Sequence, residues 1–137
     1  MNGLVVTTYL WIALGGALGS VGRYALSGLV AERTGGTFPW GTLAINVSGS
    51  FIIGLLAALA EPGSRRYVGP TGRAFLMYGV CGGYTTFSSF SLQTLELIHE
   101  GDWAKAGLNA FASVALCLIA VWLGYLIGLS LNNGKRG

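Results

Sequence analysis

Charge is scarce in this sequence. Asp, Glu, Lys and Arg make up 9% of its 137 residues, whereas a soluble domain carries about 25%. A soluble fold is therefore excluded and an integral membrane protein is expected. Acidic groups are the rarest, five in all, and none lies in the middle of an apolar stretch. Glu96 comes only at the end of one. A proton-coupled cation exporter needs an intramembrane carboxylate, and this chain offers none. The single histidine, His99, stands between Glu96 and Glu100 at the end of a stretch and reads as an interfacial residue. The two cysteines, Cys81 and Cys117, both fall inside apolar stretches and read as small buried hydrophobes. A disulfide or metal site would need more ligands than the sequence supplies. No nucleophile–base pair is apparent, so no enzyme is expected, and no nucleic-acid partner. No internal repeat is visible either, which excludes a transporter built from inverted repeats within one chain. Two copies in opposite orientation would supply that symmetry.

What the chain does have is long uncharged stretches. Charge is absent from Met1 to Gly22, where Arg23 interrupts, from Phe38 to Ala60, from Ala74 to Leu95 and from Ala106 to Asn133. Each is long enough for the roughly 20 residues a spanning helix needs. Four transmembrane helices in one domain are expected, over about 4–30, 39–60, 73–98 and 104–131. The first is not a convincing signal peptide, since no basic region precedes Leu4. Turn residues separate the spans: Gly35 to Trp40, then Glu61-Pro62-Gly63-Ser64, then His99 to Trp103, with Asn132-Asn133-Gly134 closing the last. Trp40, Trp103, Tyr9 and Tyr67 lie near span ends and Trp11 somewhat deeper, as interfacial anchors do. With four spans, Arg65, Arg66, Arg73, Lys135 and Arg136 share a side with both termini, and Arg33, Lys105 and in one reading Arg23 lie opposite. This modest bias places the termini in the cytoplasm and leaves room for insertion in both orientations.

The polar residues inside the spans are not scattered. Gly15, Gly19 and Arg23 follow at steps of four, a spacing that shares one helical face and lets helices approach closely. Arg23 either snorkels to the interface or faces an interior or watery cavity; its glycine-lined face favours the interior. Thr42, Asn46 and Ser50 form a second stripe, and Asn109, Ser113 and Cys117 a third. The bland account of each is interhelical hydrogen bonding. Together with the third span they outline a polar track across the bilayer.

That third span contains Gly82-Gly83-Tyr84-Thr85-Thr86-Phe87-Ser88-Ser89-Phe90-Ser91. Glycine loosens a helix, and Ser and Thr offer the backbone alternative partners. Non-helical backbone survives at membrane depth only inside protein or beside a water-filled path, so a mid-membrane break that lines something is expected here. Phe87 and Phe90 fall on one side of a helix. Their ring edges are weakly positive and attract an anion without a deep well, which conduction requires. Hydroxyls of Ser88 and Ser89 and the amide of Asn46 are candidates to replace part of an anion's hydration shell. A neutral, donor-rich track with the Arg23 cation at one mouth suits a small anion better than a cation.

The 82–91 segment, together with Gly41-Thr42-Leu43-Ala44-Ile45-Asn46 and Gly49, and Gly15-Gly16 through Gly19 to Arg23-Tyr24, resembles the signature of the CrcB/Fluc fluoride channels. The resemblance runs through all four spans in order. It implies an all-α, dual-topology, antiparallel homodimer in the bacterial inner membrane, with two fluoride pores at the subunit interface and passive fluoride export. By position, Phe87 and Phe90 match the pore phenylalanines and Asn46 the pore asparagine. Ser88 and Ser89 match the neighbouring hydroxyls, Asn109 and Ser113 the polar track, and Arg23 the vestibule arginine. Gly82 and Thr85 match residues whose backbone carbonyls hold a central sodium ion (Na+). One departure is Gln93, where a glutamate is familiar. Two alternatives fit the residues less well. A small multidrug-resistance-type transporter would need a glutamate in its first span, which is missing. A non-transporting assembly subunit would leave the aligned polar stripes without a purpose.

Overall fold

The computed structural model describes residues 3–64 and 66–133, and within them every regular element is helical. Arg65, Lys135 and Arg136 of the expected charge bias and Gly134 of the last expected turn lie outside the described residues, as does the side chain of Asn133. Helix α1 runs Gly3–Thr34, α2 Trp40–Leu59, α3 Pro70–Arg73, α4 Gly82–Tyr84, α5 Phe87–His99 and α6 Trp103–Asn133, with a π-helical stretch at Ala74–Cys81 joining α3 to α4.

Helices α1, α2 and α6 are each long and apolar enough to cross a membrane. The remaining hydrophobic stretch, expected as one broken span over 73–98, is a succession of pieces from Pro70 to His99, interrupted at Thr85 and Thr86. The turns fall where Gly and Pro place them. Gly35, Gly36, Gly63 and Gly101 all have positive φ, between 72° and 86°, a conformation that costs glycine little. Asp102 opens α6: its Oδ1 accepts the Lys105 N–H at 3.2 Å and its Oδ2 meets the Lys105 ammonium at 2.6 Å. These contacts from Lys105 hold the Asp102 carboxyl below its ordinary value.

Packing follows the small residues. Helix α1 lies along the π-helical stretch and α4, and α2 lies along α6. Gly15 and Gly19 are the buried residues of α1, which agrees with the close-approach reading of that face. A Cβ added to Gly15 would run into the Phe75 carbonyl and sit 3.0 Å from the Gly79 Cα. One on Gly19 would strike the Val80 carbonyl. Gly54 and Gly124 do the same for α2 against α6, facing the Val121 and Phe51 carbonyls. At the ends of α2 and α6, Asn132 donates to the Ala58 carbonyl at 3.0 Å and accepts from Ser64 at 2.6 Å, and the Tyr125 hydroxyl donates to Glu61.

Candidate functional site

The break is two residues long. Thr85 (φ −80°, ψ 157°) and Thr86 (φ −153°, ψ 110°) are both extended. Each end of the break is sealed locally. The Thr85 N–H and hydroxyl both donate to the Cys81 carbonyl, at 3.0 and 2.9 Å. The Thr86 hydroxyl caps α5 by accepting the Ser89 N–H at 3.1 Å, and it lies 3.0 Å from the Ser89 hydroxyl and 3.3 Å from that of Ser88.

The Thr86 backbone remains, and it is satisfied from another helix. Asn46 Nδ2 donates to the Thr86 carbonyl at 3.0 Å, and Asn46 Oδ1 accepts the Thr86 N–H at 2.8 Å. In an unbroken helix that N–H would go to the Gly82 carbonyl four residues back. Asn46 thus takes the place of a helical turn. The mid-membrane amide was expected to need partners, and its partner is the break itself.

Two cavities flank this point. The first, a groove of about 410 Å³, is bordered by Asn46, Gly82, Thr85, Thr86, Phe87, Phe90 and Ser113 among others. The second, also about 410 Å³, is bordered by Arg23, Ser20, Thr42, Thr86, Ser89 and Gln93. Thr86 borders both. The α2 stripe therefore divides, with Thr42 on the Arg23 side and Asn46 and Ser50 on the phenylalanine side. Arg23 is half-buried and borders the second cavity.

The Phe87 and Phe90 rings stand 5.2 Å apart between centroids at 50°, and Phe87 is 76% exposed in the single chain. Ser113 extends the groove toward a buried relay. Its hydroxyl lies 3.5 Å from Asn109 Oδ1, Asn109 Nδ2 donates to the Thr94 hydroxyl at 2.9 Å, and Thr94 donates to the Phe90 carbonyl at 2.7 Å. Asn109 is 1% exposed and borders neither cavity. It ties α6 to α5 below the phenylalanine pair. Ser88 is exposed and also borders neither.

Residues 10–125 match the family described as CrcB-like protein, Camphor Resistance (CrcB). The chain belongs to the CrcB family. A protein of Opitutus terrae named fluoride-specific ion channel FluC is 63% identical over 130 residues, covering 95% of this chain and 98% of its own length. Proteins of the same name from Methylocella silvestris and Paramagnetospirillum magneticum are 54% and 56% identical, over 93% and 92% of this chain and 97% and 98% of theirs. In this CrcB chain two residues of the site, Thr86, which is common to both cavities, and Thr94, are not among those expected from the sequence. A local signal existed for Thr86, since threonine is a favoured residue directly before a helix. For Thr94 there was none, because its partner comes from α6.

The groove also contains the two residues expected to offer carbonyls to sodium. The Gly82 carbonyl has lost its ordinary helical donor to Asn46, Thr85 is extended, and Gly82 is exposed in the single chain. Carbonyl oxygens are ligands that suit a hard cation, so Gly82 and Thr85 offer the donor type that such an ion takes.

Proposed function

We propose that this chain forms a fluoride-selective channel through which fluoride leaves the cytoplasm passively across the bacterial inner membrane. The observation that carries the reading is the Asn46-held break, because it starts α5 at Phe87 and so sets the phenylalanine pair, Asn46 and Ser113 on one groove. The identity of the ion rests on the relatives, which are named fluoride-specific ion channels.

The groove suits a small anion. Its border carries no charged side chain, so no side chain there makes a deep well. Ring edges of Phe87 and Phe90 and the Ser113 hydroxyl offer weak positive ends. The second amide hydrogen of Asn46 remains available after the first is given to Thr86. Arg23, with Ser89, supplies the cationic entry on the other side of Thr86, where it raises the local anion concentration. Ser88 and Asn109 act beside this route: Ser88 through the Thr86 hydroxyl, Asn109 by fixing Thr94 and Ser113.

The working unit is an antiparallel homodimer with two pores. The exposure of Phe87 and Gly82 on an open groove supports cover by a second copy, and the weak charge bias of the loops supports two insertion orientations. The carbonyls of Gly82 and Thr85 from both subunits hold a structural sodium ion, whose charge joins the two copies. The experiment is fluoride efflux from liposomes containing the purified protein, followed with a fluoride electrode beside chloride efflux. Fluoride release with little chloride release is expected. No fluoride release, or equal release of both, overturns the reading.

A further inference from the structure

The two cavities beside the break meet at a single residue. Among the described residues, Thr86 is the only one that borders both the groove of the phenylalanine pair and the cavity of Arg23. It is 7% exposed. Its backbone has nothing left to offer an ion. The N–H goes to Asn46 Oδ1 at 2.8 Å, and the carbonyl accepts Asn46 Nδ2 at 3.0 Å. What remains is the side chain, a hydroxyl and a methyl group on one carbon.

The hydroxyl has two separable jobs. Its oxygen accepts the Ser89 N–H at 3.1 Å, the bond that starts α5. Its one hydrogen points to the Ser89 hydroxyl at 3.0 Å, with the Ser88 hydroxyl 3.3 Å away. A hydroxyl carries one donor and two acceptor lone pairs, and its hydrogen rotates to suit. That hydrogen can leave Ser89 while a lone pair stays on the Ser89 N–H. A bond to an anion is about twice as strong as one between neutral groups, so an anion beside Thr86 draws the hydrogen to itself. One such donor holds an ion weakly enough for it to leave. The methyl group stands beside that donor and forms no hydrogen bond. It limits how large an ion can reach the hydrogen.

We propose that Thr86 is the specificity-determining junction of the anion route. Its hydroxyl passes the ion between the Arg23 cavity and the phenylalanine groove, and its methyl group narrows the crossing against larger halides. This rests on the fluoride reading above.

The test compares fluoride and chloride efflux from liposomes containing the unmodified protein, Thr86→Ser or Thr86→Asp. Serine caps a helix at least as well as threonine, keeps the hydroxyl and removes the methyl group. A residue that only caps α5 would leave selectivity alone. The chloride-to-fluoride ratio of Thr86→Ser should instead rise about tenfold, the scale on which one carbon alters discrimination at a close-fitting site. Aspartate also caps, but it sets a negative charge at the crossing, so Thr86→Asp should lose fluoride efflux while its melting temperature stays near that of the unmodified protein. An unchanged ratio in Thr86→Ser, its loss of fluoride efflux, or fluoride efflux at the unmodified rate from folded Thr86→Asp overturns the junction and leaves the fluoride reading standing. If Thr86→Asp does not fold, the ratio in Thr86→Ser decides. Absence of fluoride efflux from the unmodified protein overturns the fluoride reading and the junction with it.

Discussion

The Asn46 side chain grips the Thr86 peptide at both ends, with Nδ2 on its carbonyl at 3.0 Å and Oδ1 on its N–H at 2.8 Å, across 40 residues of sequence. Asn46→Leu keeps the size roughly and strands both backbone groups. A buried polar group left unpaired costs about 1–3 kcal/mol, so the variant should melt at lower temperature in detergent and lose fluoride flux. Asn46→Asp keeps the acceptor, loses the donor and sets a negative charge beside the groove, so flux should fall further than stability. A melting temperature and flux like those of the unmodified protein for Asn46→Leu would show that the clamp is dispensable.

Phe87→Ile and Phe90→Ile test the rings. Each retains apolar bulk and removes the ring edge. Phe87 is largely exposed in the single chain, so its loss should leave the fold intact while fluoride efflux drops sharply. Unchanged efflux from both variants would make the pair simple packing.

The Asn109–Thr94 bond should behave as a unit. Asn109→Leu and Thr94→Val each leave the other group unpaired beneath Phe90, at a cost of about 1–3 kcal/mol. The double variant should cost less than the sum of the two, since residues in one network are not additive. Strict additivity in thermal melts would argue that the 2.9 Å contact contributes nothing.

Neighbouring glycines of α1 give a sharp contrast. Gly15→Ala drives a Cβ into the Phe75 carbonyl, while Gly16→Ala meets nothing within 4 Å. Overpacking of this kind costs about 1–3 kcal/mol, so Gly15→Ala should destabilise and Gly16→Ala should not. Equal melting temperatures would mean that α1 does not sit this close to the π-helical stretch.

Sodium is open to direct observation. A high-resolution experimental structure of the dimer should show an ion between subunits against the carbonyls of Gly82 and Thr85. Clear density for the surrounding backbone without any ion would remove it from the account.

The number and extent of the hydrophobic stretches were legible because they depend on local composition. Uncharged length and the Gly and Pro positions around Pro39 and Pro62 placed the ends of α2 within a residue or so. The unsuitability of Gly82–Ser91 for a continuous helix was equally legible. The location of the break at Thr85 and Thr86 was not, because it is fixed by Asn46 on another helix. The π-helical stretch Ala74–Cys81 also left no mark, since its sequence AFLMYGVC, with Gly79 as its single weak helix former, reads as an ordinary apolar helix. It packs closely on α1 at Gly15 and Gly19, and such stretches often lie at functional sites. Asn109 was legible as part of a polar stripe, but its burial beneath Phe90 depends on Thr94.

Planar-bilayer recording tests the central claim most directly. With a fluoride gradient across the membrane and chloride opposed, the reversal potential should sit at the fluoride equilibrium potential. A reversal potential at the chloride equilibrium potential, or the absence of any fluoride current from well-folded protein, would contradict the account.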